Sequence, residues 1–162
     1  MKEFNINLKI HLCQFDELPE QERQLVETAI QSTNHAYAKY SNFKVGAAIQ
    51  LSDGTVVVGA NQENAAYPSG LCAERTAIFA AQAQYPDKPI TMLAIAAQNE
   101  GGMLKKPVTP CGACRQVMIE VEDRYQQPIK ILLYGSSAVY VIDSAKDLLP
   151  LSFIGKDLSG YL

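Results

Sequence analysis

The segment from Thr91 to Gln98 reads TMLAIAAQ and is apolar over almost its whole length. A continuous apolar run this short is typical of a central strand that is buried on both faces. Such a strand needs other elements to cover it on both sides of its sheet. Patterns typical of helices precede and follow the run, so the sequence predicts helices packed on both faces of one mixed sheet.

Two hairpins are predicted on either side of this strand. Runs of β-forming residues flank an SDG turn at residues 52–54, and a second pair of runs flanks a GSS turn at residues 135–137. Turns this short join antiparallel strands, because a parallel connection needs a long crossover. The sequence therefore predicts a three-layer α/β/α domain. Its mixed sheet has about five strands, with an N-terminal hairpin and an antiparallel last strand pair.

Three helices are predicted between the strands. The first follows Leu18 and runs to about residue 37, with Pro19 in its first turn. The second begins near residues 70–72 and ends before Pro86. The third begins in the sequence TPCGAC and continues past residue 121.

The first residues of the chain carry a separate pattern. Apolar side chains alternate with polar ones at Phe4, Ile6, Leu8, Ile10 and Leu12, which predicts a half-buried strand. A lone amphipathic strand is not stable by itself, so we expect it to cap a sheet edge or a subunit interface. We divide the chain into an N-terminal extension, residues 1–17, and a domain, residues 18–162.

Composition and charge exclude several classes of protein. The 162 residues are 48% hydrophobic and 19% charged, as in one ordinary globular domain. A net charge of -3 gives no basic surface for nucleic acid or an anionic membrane. No segment approaches the roughly 18–20 apolar residues of a membrane span, and the first residues are too polar for a signal peptide. We expect a cytoplasmic protein with reduced thiols.

Three of the four cysteines lie at the starts of predicted helices. Cys72 opens the second helix, and Cys111 and Cys114 open the third. Two helices that begin on the same side of a sheet can bring three thiolates together, and these could bind zinc with one coordination position open. A redox-active CxxC pair is the alternative for Cys111 and Cys114, but it leaves Cys72 and Glu74 without a role.

These cysteines carry a resemblance to a known family. Cys-Ala-Glu at residues 72–74, followed by Pro-Cys-x-x-Cys at residues 110–114, resembles the zinc deaminase signature with cysteine in place of the first histidine. More narrowly, the motifs YSNFKVGAA, GANQENAAYP, CAERTA and PCGACRQ resemble the small homotetrameric cytidine deaminases of pyrimidine salvage. The resemblance runs from Tyr40 onward. Lys44 departs from it, since the family commonly has proline at that position.

The resemblance implies an activity. The reaction is hydrolytic deamination of cytidine and deoxycytidine to uridine and deoxyuridine plus ammonia, by zinc-activated water. One zinc ion per subunit would be bound by Cys72, Cys111 and Cys114, and Glu74 would carry the protons. The expected partner is a pyrimidine nucleoside, with no nucleic acid and no membrane. The expected assembly is a homotetramer with sites at its subunit interfaces.

An all-cysteine zinc site raises a problem of charge. Three thiolates on Zn²⁺ leave a formal charge of minus one, which makes a bound water less acidic. Helix N-termini offset part of this charge. We expect Arg75 to offset more of it through N–H contacts with sulfur, without binding the metal itself. Arg115, directly after Cys114, is the competing candidate.

The resemblance also implies the substrate-binding residues. Asn61 and Glu63 correspond to residues that hydrogen-bond the ribose 3′-hydroxyl, and they suit a free nucleoside better than a nucleotide. Phe43 corresponds to an aromatic residue that stacks near the pyrimidine. Phe153 corresponds to one that reaches a neighbouring subunit's pocket. Each aromatic residue has an alternative role as an apolar anchor. Four further positions are expected at the site: Ala65, Ala66, Tyr67 and Ala73.

Other functions remain open from the sequence. A blasticidin-type nucleoside-antibiotic deaminase is the alternative within the superfamily, and a non-enzymatic zinc or redox module is the alternative outside it. A nucleic-acid editing deaminase is disfavoured by the negative charge. It is also disfavoured by the GSS turn, which makes the last two strands antiparallel.

Overall fold

Seven strands of residues 1–158, the part of the chain that this computed structural model describes, form one mixed sheet. The strands are β1 (His11–Cys13), β2 (Lys44–Leu51), β3 (Val56–Ala60), β4 (Ile90–Asn99), β5 (Gly102–Met103), β6 (Lys130–Gly135) and β7 (Ala138–Ile142). The helices are α1 (Glu20–Ser32), α2 (Ala73–Gln84), α3 (Gly112–Tyr125) and the short α4 (Gly155–Leu158). Short 3-10 turns lie at Phe15–Glu17, Thr33–His35, Tyr67–Ser69 and Ala145–Leu148.

The strand order is β1-β7-β6-β4-β2-β3, and β5 pairs with the end of β4. Strands β4 and β6 are parallel, and the other pairs are antiparallel. Both predicted hairpins are confirmed, and so is the central position of β4. The five expected strands and the N-terminal one are all present, although the latter is shorter than expected. The two-residue β5 was not predicted.

Helices cover both faces of the sheet, as expected. Buried residues of α1 pack on one face, and buried residues of α2 and α3 pack on the other. Two glycines allow this close packing. A Cβ atom at Gly46 would lie 2.1 Å from the carbonyl oxygen of Ala29 in α1, and one at Gly59 would lie 2.4 Å from the amide nitrogen of Ala77 in α2. Any side chain there would push the helices away from the sheet.

The parallel pair determines where helices α2 and α3 begin. Helix α2 leads into β4, and α3 leads into β6. Because β4 and β6 run in the same direction, both helices return across the sheet in the opposite direction. Both helices therefore start at the end of the sheet where β4 and β6 terminate. Cys72 caps the N-terminus of α2 and Cys111 caps that of α3. This topology brings the predicted zinc ligands to one place.

The prediction of a half-buried strand over residues 4–12 is wrong for most of its length. Only His11–Cys13 forms a strand, and the five alternating apolar side chains are all exposed, Phe4 at 78%. The register explains this result. His11 pairs with Val141, and β7 ends one residue later at Ile142, so earlier residues run past the strand that could pair with them. The expectation that this segment caps a sheet edge is confirmed for His11–Cys13.

The first helix is shorter than predicted. Helix α1 ends at Ser32, and a 3-10 turn follows, so residues 36 and 37 lie outside it. The Thr33 hydroxyl donates to the Ile30 carbonyl at 2.7 Å, a side-chain bond that competes with regular helix geometry. Pro19 occupies the N-cap position rather than the first turn.

Candidate metal centre and active site

The thiols of Cys72, Cys111 and Cys114 meet where α2 and α3 begin. The Sγ atom of Cys111 lies 3.8 Å from that of Cys72 and 3.5 Å from that of Cys114. All three sulfur atoms lie within 4.8 Å of one another. The prediction that two helix starts bring three thiols together is therefore confirmed.

The spacing of these sulfur atoms suits zinc. Two thiolates bound to one zinc ion at 2.3 Å and at the tetrahedral angle lie about 3.8 Å apart. The observed separations of 3.5 and 3.8 Å fit this value without rearrangement of the helices. A disulfide would need about 2 Å between sulfur atoms, and none of these cysteines is in one. Three soft ligands also leave a fourth coordination position for water or substrate.

The surroundings of Cys72 favour its thiolate. Hydrogen bonding with Cys114 lowers the pKa of Cys72 to about 5, and the nearby guanidinium of Arg75 adds to the effect. The same contact with Cys72, together with burial, raises the pKa of Cys114. Neither helix-capping cysteine uses its side chain to cap the backbone, so the sulfur atoms remain available as ligands.

Glu74 lies in the first turn of α2, two residues after Cys72. Its side chain is only 5% exposed, and burial raises the pKa of its carboxyl group. A buried carboxyl group with a raised pKa beside a metal site is suited to proton transfer near neutral pH.

The two candidate arginines make different contacts. Arg75 donates from Nη2 to the Sγ atom of Cys72 at 3.7 Å, and its pKa is raised, first by this contact. Arg115 instead donates to the carbonyl oxygens of Pro110 at 2.8 Å and Leu148 at 2.7 Å. Arg75 is therefore the arginine placed to offset thiolate charge, and Arg115 holds the loop before α3 and the turn after β7.

A cavity of about 550 Å³ opens beside Cys72 and Arg75. This volume is in the range of small-molecule sites. Of the predicted substrate residues, Asn61, Glu63 and Tyr67 line it. The other lining residues are Tyr40, Ser41, Gln62, Asn64, Gly70 and Leu71.

The cavity wall is organised around Asn61 and Glu63. The Asn61 side chain accepts from the Val45 amide at 2.8 Å and donates to the Phe43 carbonyl at 2.9 Å. The Glu63 carboxylate accepts from the Tyr40 amide at 2.7 Å and from the Ser41 hydroxyl. Both residues thus fix the loop before β2.

Ser41 is a site residue that the sequence analysis missed. Its hydroxyl donates to Glu63 and accepts from the Phe43 amide at 3.0 Å. The bond from the Ser41 hydroxyl is the main cause that lowers the pKa of Glu63, and the Tyr40 amide adds to it. The only signal was its place in the motif YSNFKVGAA, since a serine in a loop has no distinctive spacing.

The remaining predicted site residues do not line the cavity. Phe43 is half-buried just before β2, and Lys44 is the exposed first residue of that strand. Ala73 is buried in the first turn of α2. Phe153 is 56% exposed, and its carbonyl accepts from the Gln116 side chain at 2.7 Å. The exposed Ala65 and Ala66 immediately precede Tyr67, which is 79% exposed.

Comparison with known proteins decides the family. Residues 19–126, well over half of the chain, match the family model for the cytidine and deoxycytidylate deaminase zinc-binding region. The chain belongs to the cytidine and deoxycytidylate deaminase family. The three clustered cysteines, Cys72, Cys111 and Cys114, and Glu74 all lie within the matched residues.

Relatives of this deaminase family cover most of the chain. A cytidine deaminase from Halalkalibacterium halodurans is 39% identical over 137 residues, which are 85% of this chain and 97% of the relative. One from Sporosarcina psychrophila is 38% identical over 84% of this chain and 93% of the relative. The crystal structure of cytidine deaminase from Burkholderia pseudomallei is also similar, with a TM-score of 0.70 and 43% sequence identity. The match covers 80% of this chain and 97% of the chain in that crystal structure.

Within residues 1–158, every helix is too short or too polar to cross a membrane.

Proposed function

We propose that the protein hydrolyses cytidine and deoxycytidine to uridine and deoxyuridine with release of ammonia. The observation that carries this proposal is the three-thiol cluster with the buried carboxyl group of Glu74 beside it. Both lie in a chain whose relatives are named cytidine deaminases. Water supplies the oxygen atom at C4 of the pyrimidine, and the C4–N4 bond breaks.

Cys72, Cys111 and Cys114 would hold one zinc ion per subunit. Bound zinc supplies a Lewis acid, which lowers the pKa of water from 15.7 toward 7. Cys111 lies at about the tetrahedral spacing from both Cys72 and Cys114, and all three sulfur atoms lie within 4.8 Å, so the site needs little rearrangement to accept the ion.

Glu74 would be the proton carrier. Its carboxylate takes a proton from the attacking water and passes it to N3 of the base. It then passes the second proton of that water to the leaving amine, which departs as ammonia. Burial raises the pKa of the carboxyl group. The raised pKa lies closer to neutral pH, where the group must both accept and donate a proton. Its place in the first turn of α2 holds it beside the ligands without making it a fourth one.

Arg75 would stabilise the charge of the thiolates. Its Nη2 contact with Cys72 supplies a positive charge close to the sulfur atoms, and the N-termini of α2 and α3 add partial charges. Removing negative charge from the sulfur ligands makes the metal a stronger Lewis acid.

Asn61 and Glu63 would recognise the ribose hydroxyls. Both line the cavity beside Cys72. An ionised Glu63 accepts a hydroxyl hydrogen and repels a phosphate, which favours nucleosides over nucleotides. Phe43 would stack near the pyrimidine, and the backbone around Ala65, Ala66 and Ala73 would contact the base.

We infer a cytoplasmic homotetramer that binds neither nucleic acid nor membrane. The exposure of Tyr67 and Phe153 supports a site that neighbouring subunits build together. Both aromatic side chains are accessible on the single chain and can contact a neighbouring subunit. The net charge of -3 supports the absence of a polyanionic partner.

The test is turnover of four substrates at matched concentration: cytidine, deoxycytidine, cytidine 5′-monophosphate and blasticidin S. We expect loss of cytidine absorbance with equimolar ammonia, and at least tenfold lower kcat/KM for the nucleotide. A preference for blasticidin S would assign the antibiotic deaminase instead. Zinc content without any turnover would indicate a non-enzymatic module.

A further inference from the structure

Residues 1–10 form an arm that residues 11–158, the rest of the described chain, leave uncovered. None of these residues lies in a strand or helix, and all ten are exposed. The arm continues directly into β1, the outermost strand on its side of the sheet. The family match begins at residue 19, so the arm lies outside the residues that the family model matches.

The arm has the pattern of a strand without a partner. Its apolar residues occupy even positions from Phe4 to Ile10, and its polar ones occupy odd positions from Glu3 to Lys9. Exposed extended segments with unpaired backbone groups readily pair with another strand. Within the same chain β7 ends too early to supply that strand.

We propose that the arm pairs in antiparallel orientation with the same arm of a second copy of this chain, centred on Ile6. In this register Ile6 faces Ile6 of the partner subunit, and Phe4 faces the partner's Leu8. Glu3 faces the partner's Lys9, and by symmetry Lys9 faces the partner's Glu3. The contact is isologous, so each arm is satisfied by a single partner arm.

Charge complementarity selects this register. Parallel pairing in register would place Lys9 beside the partner's Lys9 and Glu3 beside the partner's Glu3. A shift that changes the pairing by one residue would set apolar side chains against polar ones. Pairing centred on residue 7 would set Glu3 against His11, which already pairs with β7 and lies 3.6 Å from Asp143. Centring on Ile6 matches both charges and sets Phe4, Ile6 and Leu8 against apolar residues of the partner arm.

The contact is weak and depends on concentration. A two-stranded ribbon is marginally stable by itself, and each arm contributes about seven residues to it. Cross-linking therefore detects it better than a measurement of mass.

The experiment uses the zinc-loaded full chain with Cys13→Ser, which removes the cysteine nearest the arm. Ile6→Cys is expected to form a disulfide-linked dimer under mild oxidation at least tenfold faster than Leu8→Cys. Position 6 faces itself across the two-fold axis, whereas position 8 faces position 4. An equal mixture of the Phe4→Cys and Leu8→Cys variants is expected to form the mixed disulfide-linked dimer. This dimer should form faster than either variant alone forms a dimer with itself. Melting curves confirm that every variant is folded.

A charge exchange in the Ile6→Cys protein tests the register. Glu3→Lys alone and Lys9→Glu alone each place like charges opposite one another, and each is expected to slow cross-linking severalfold. The double exchange is expected to restore the original rate. Equal rates for Ile6→Cys and Leu8→Cys, no dimer above the Cys13→Ser parent, or no recovery in the double exchange would each overturn the proposal.

Discussion

Arg75 lies 3.7 Å from the sulfur atom of Cys72, measured from its Nη2 atom. Its Nε atom is buried and has no hydrogen-bond partner in the part of the chain that the structure describes. The guanidinium thus contacts a sulfur atom, whereas that of Arg115 donates to two backbone carbonyls. The two arginines that sequence analysis left as rivals therefore make different kinds of contact.

Arg75→Gln is expected to lower kcat at neutral pH by about 10- to 100-fold with retained fold. Loss of the cation makes water bound to zinc less acidic, so a higher pH is needed to ionise it. The acid limb of the pH–rate profile should therefore move to higher pH. Arg115→Gln is the control, because it removes backbone contacts and should lower the melting temperature without moving that limb. Wild-type zinc content, turnover and pH profile in Arg75→Gln would contradict the assigned role.

Glu74→Gln is expected to remove activity while keeping the zinc site. The amide has nearly the same shape but cannot carry a proton, so kcat should fall by about 10²–10⁴-fold. Zinc content by elemental analysis and the melting temperature should stay near wild-type values. If Glu74→Gln retained more than a tenth of the wild-type kcat, another group would have to carry the protons.

Ser41→Ala is expected to raise KM for cytidine about three- to tenfold with little change in kcat. The Ser41 hydroxyl donates to Glu63 and also holds the Phe43 amide, so its loss loosens a ribose-binding residue without touching the reacting atoms. Ser41→Thr keeps the hydroxyl and should restore KM. An equal loss of kcat in both variants would indicate a general disturbance instead.

The pH dependence of KM gives a second test of Glu63. Hydrogen bonds from Ser41 and the Tyr40 amide lower the pKa of Glu63, so the carboxylate stays ionised to lower pH than an ordinary glutamate. KM should rise when the pH falls through this lowered pKa, because protonation removes an acceptor for the ribose. In Ser41→Ala the rise should begin at higher pH. An unshifted pH profile of KM in that variant would separate Ser41 from the ionisation of Glu63.

Glu122→Ala is expected to lower the free energy of unfolding by about 3 kcal/mol, since each buried donor left unsatisfied costs about 1–3 kcal/mol. Glu122 is 4% exposed, and its carboxylate accepts from the amides of Ile129 at 2.8 Å and Ala145 at 2.7 Å. Denaturant unfolding measures the change. The exposed Glu120→Ala on the same helix should change it by less than about 0.5 kcal/mol. Similar losses in both variants would contradict the bridging role of Glu122.

Sequence analysis found the elements whose signals are local. The SDG turn at residues 52–54 specifies the β2–β3 hairpin, and Gly54 has the positive φ of 87° that its turn requires. The continuous apolar run became β4, with its middle residues buried on both faces. Cysteines at two helix starts identified the metal centre because helix direction follows from the parallel pair.

Features that depend on distant partners were missed. The alternation in residues 4–12 indicated which side chains share a face, but not that β7 ends at Ile142. The burial of Glu122 was not predicted, since its partners come from a loop and a turn that pattern analysis could not place beside it. Ser41 contacts Glu63, and no spacing rule connects a serine in the loop before β2 with a glutamate in the loop after β3.

The most direct measurement is a crystal structure with a hydrated-pyrimidine nucleoside analogue whose C4 carries a tetrahedral hydroxyl group. The account predicts one zinc ion held by Cys72, Cys111 and Cys114, with the analogue's hydroxyl group as its fourth ligand. Glu74 should hydrogen-bond the same hydroxyl group, and Asn61 and Glu63 should contact the ribose. Zinc with four protein ligands, or an analogue bound away from the three cysteines, would contradict the proposed mechanism.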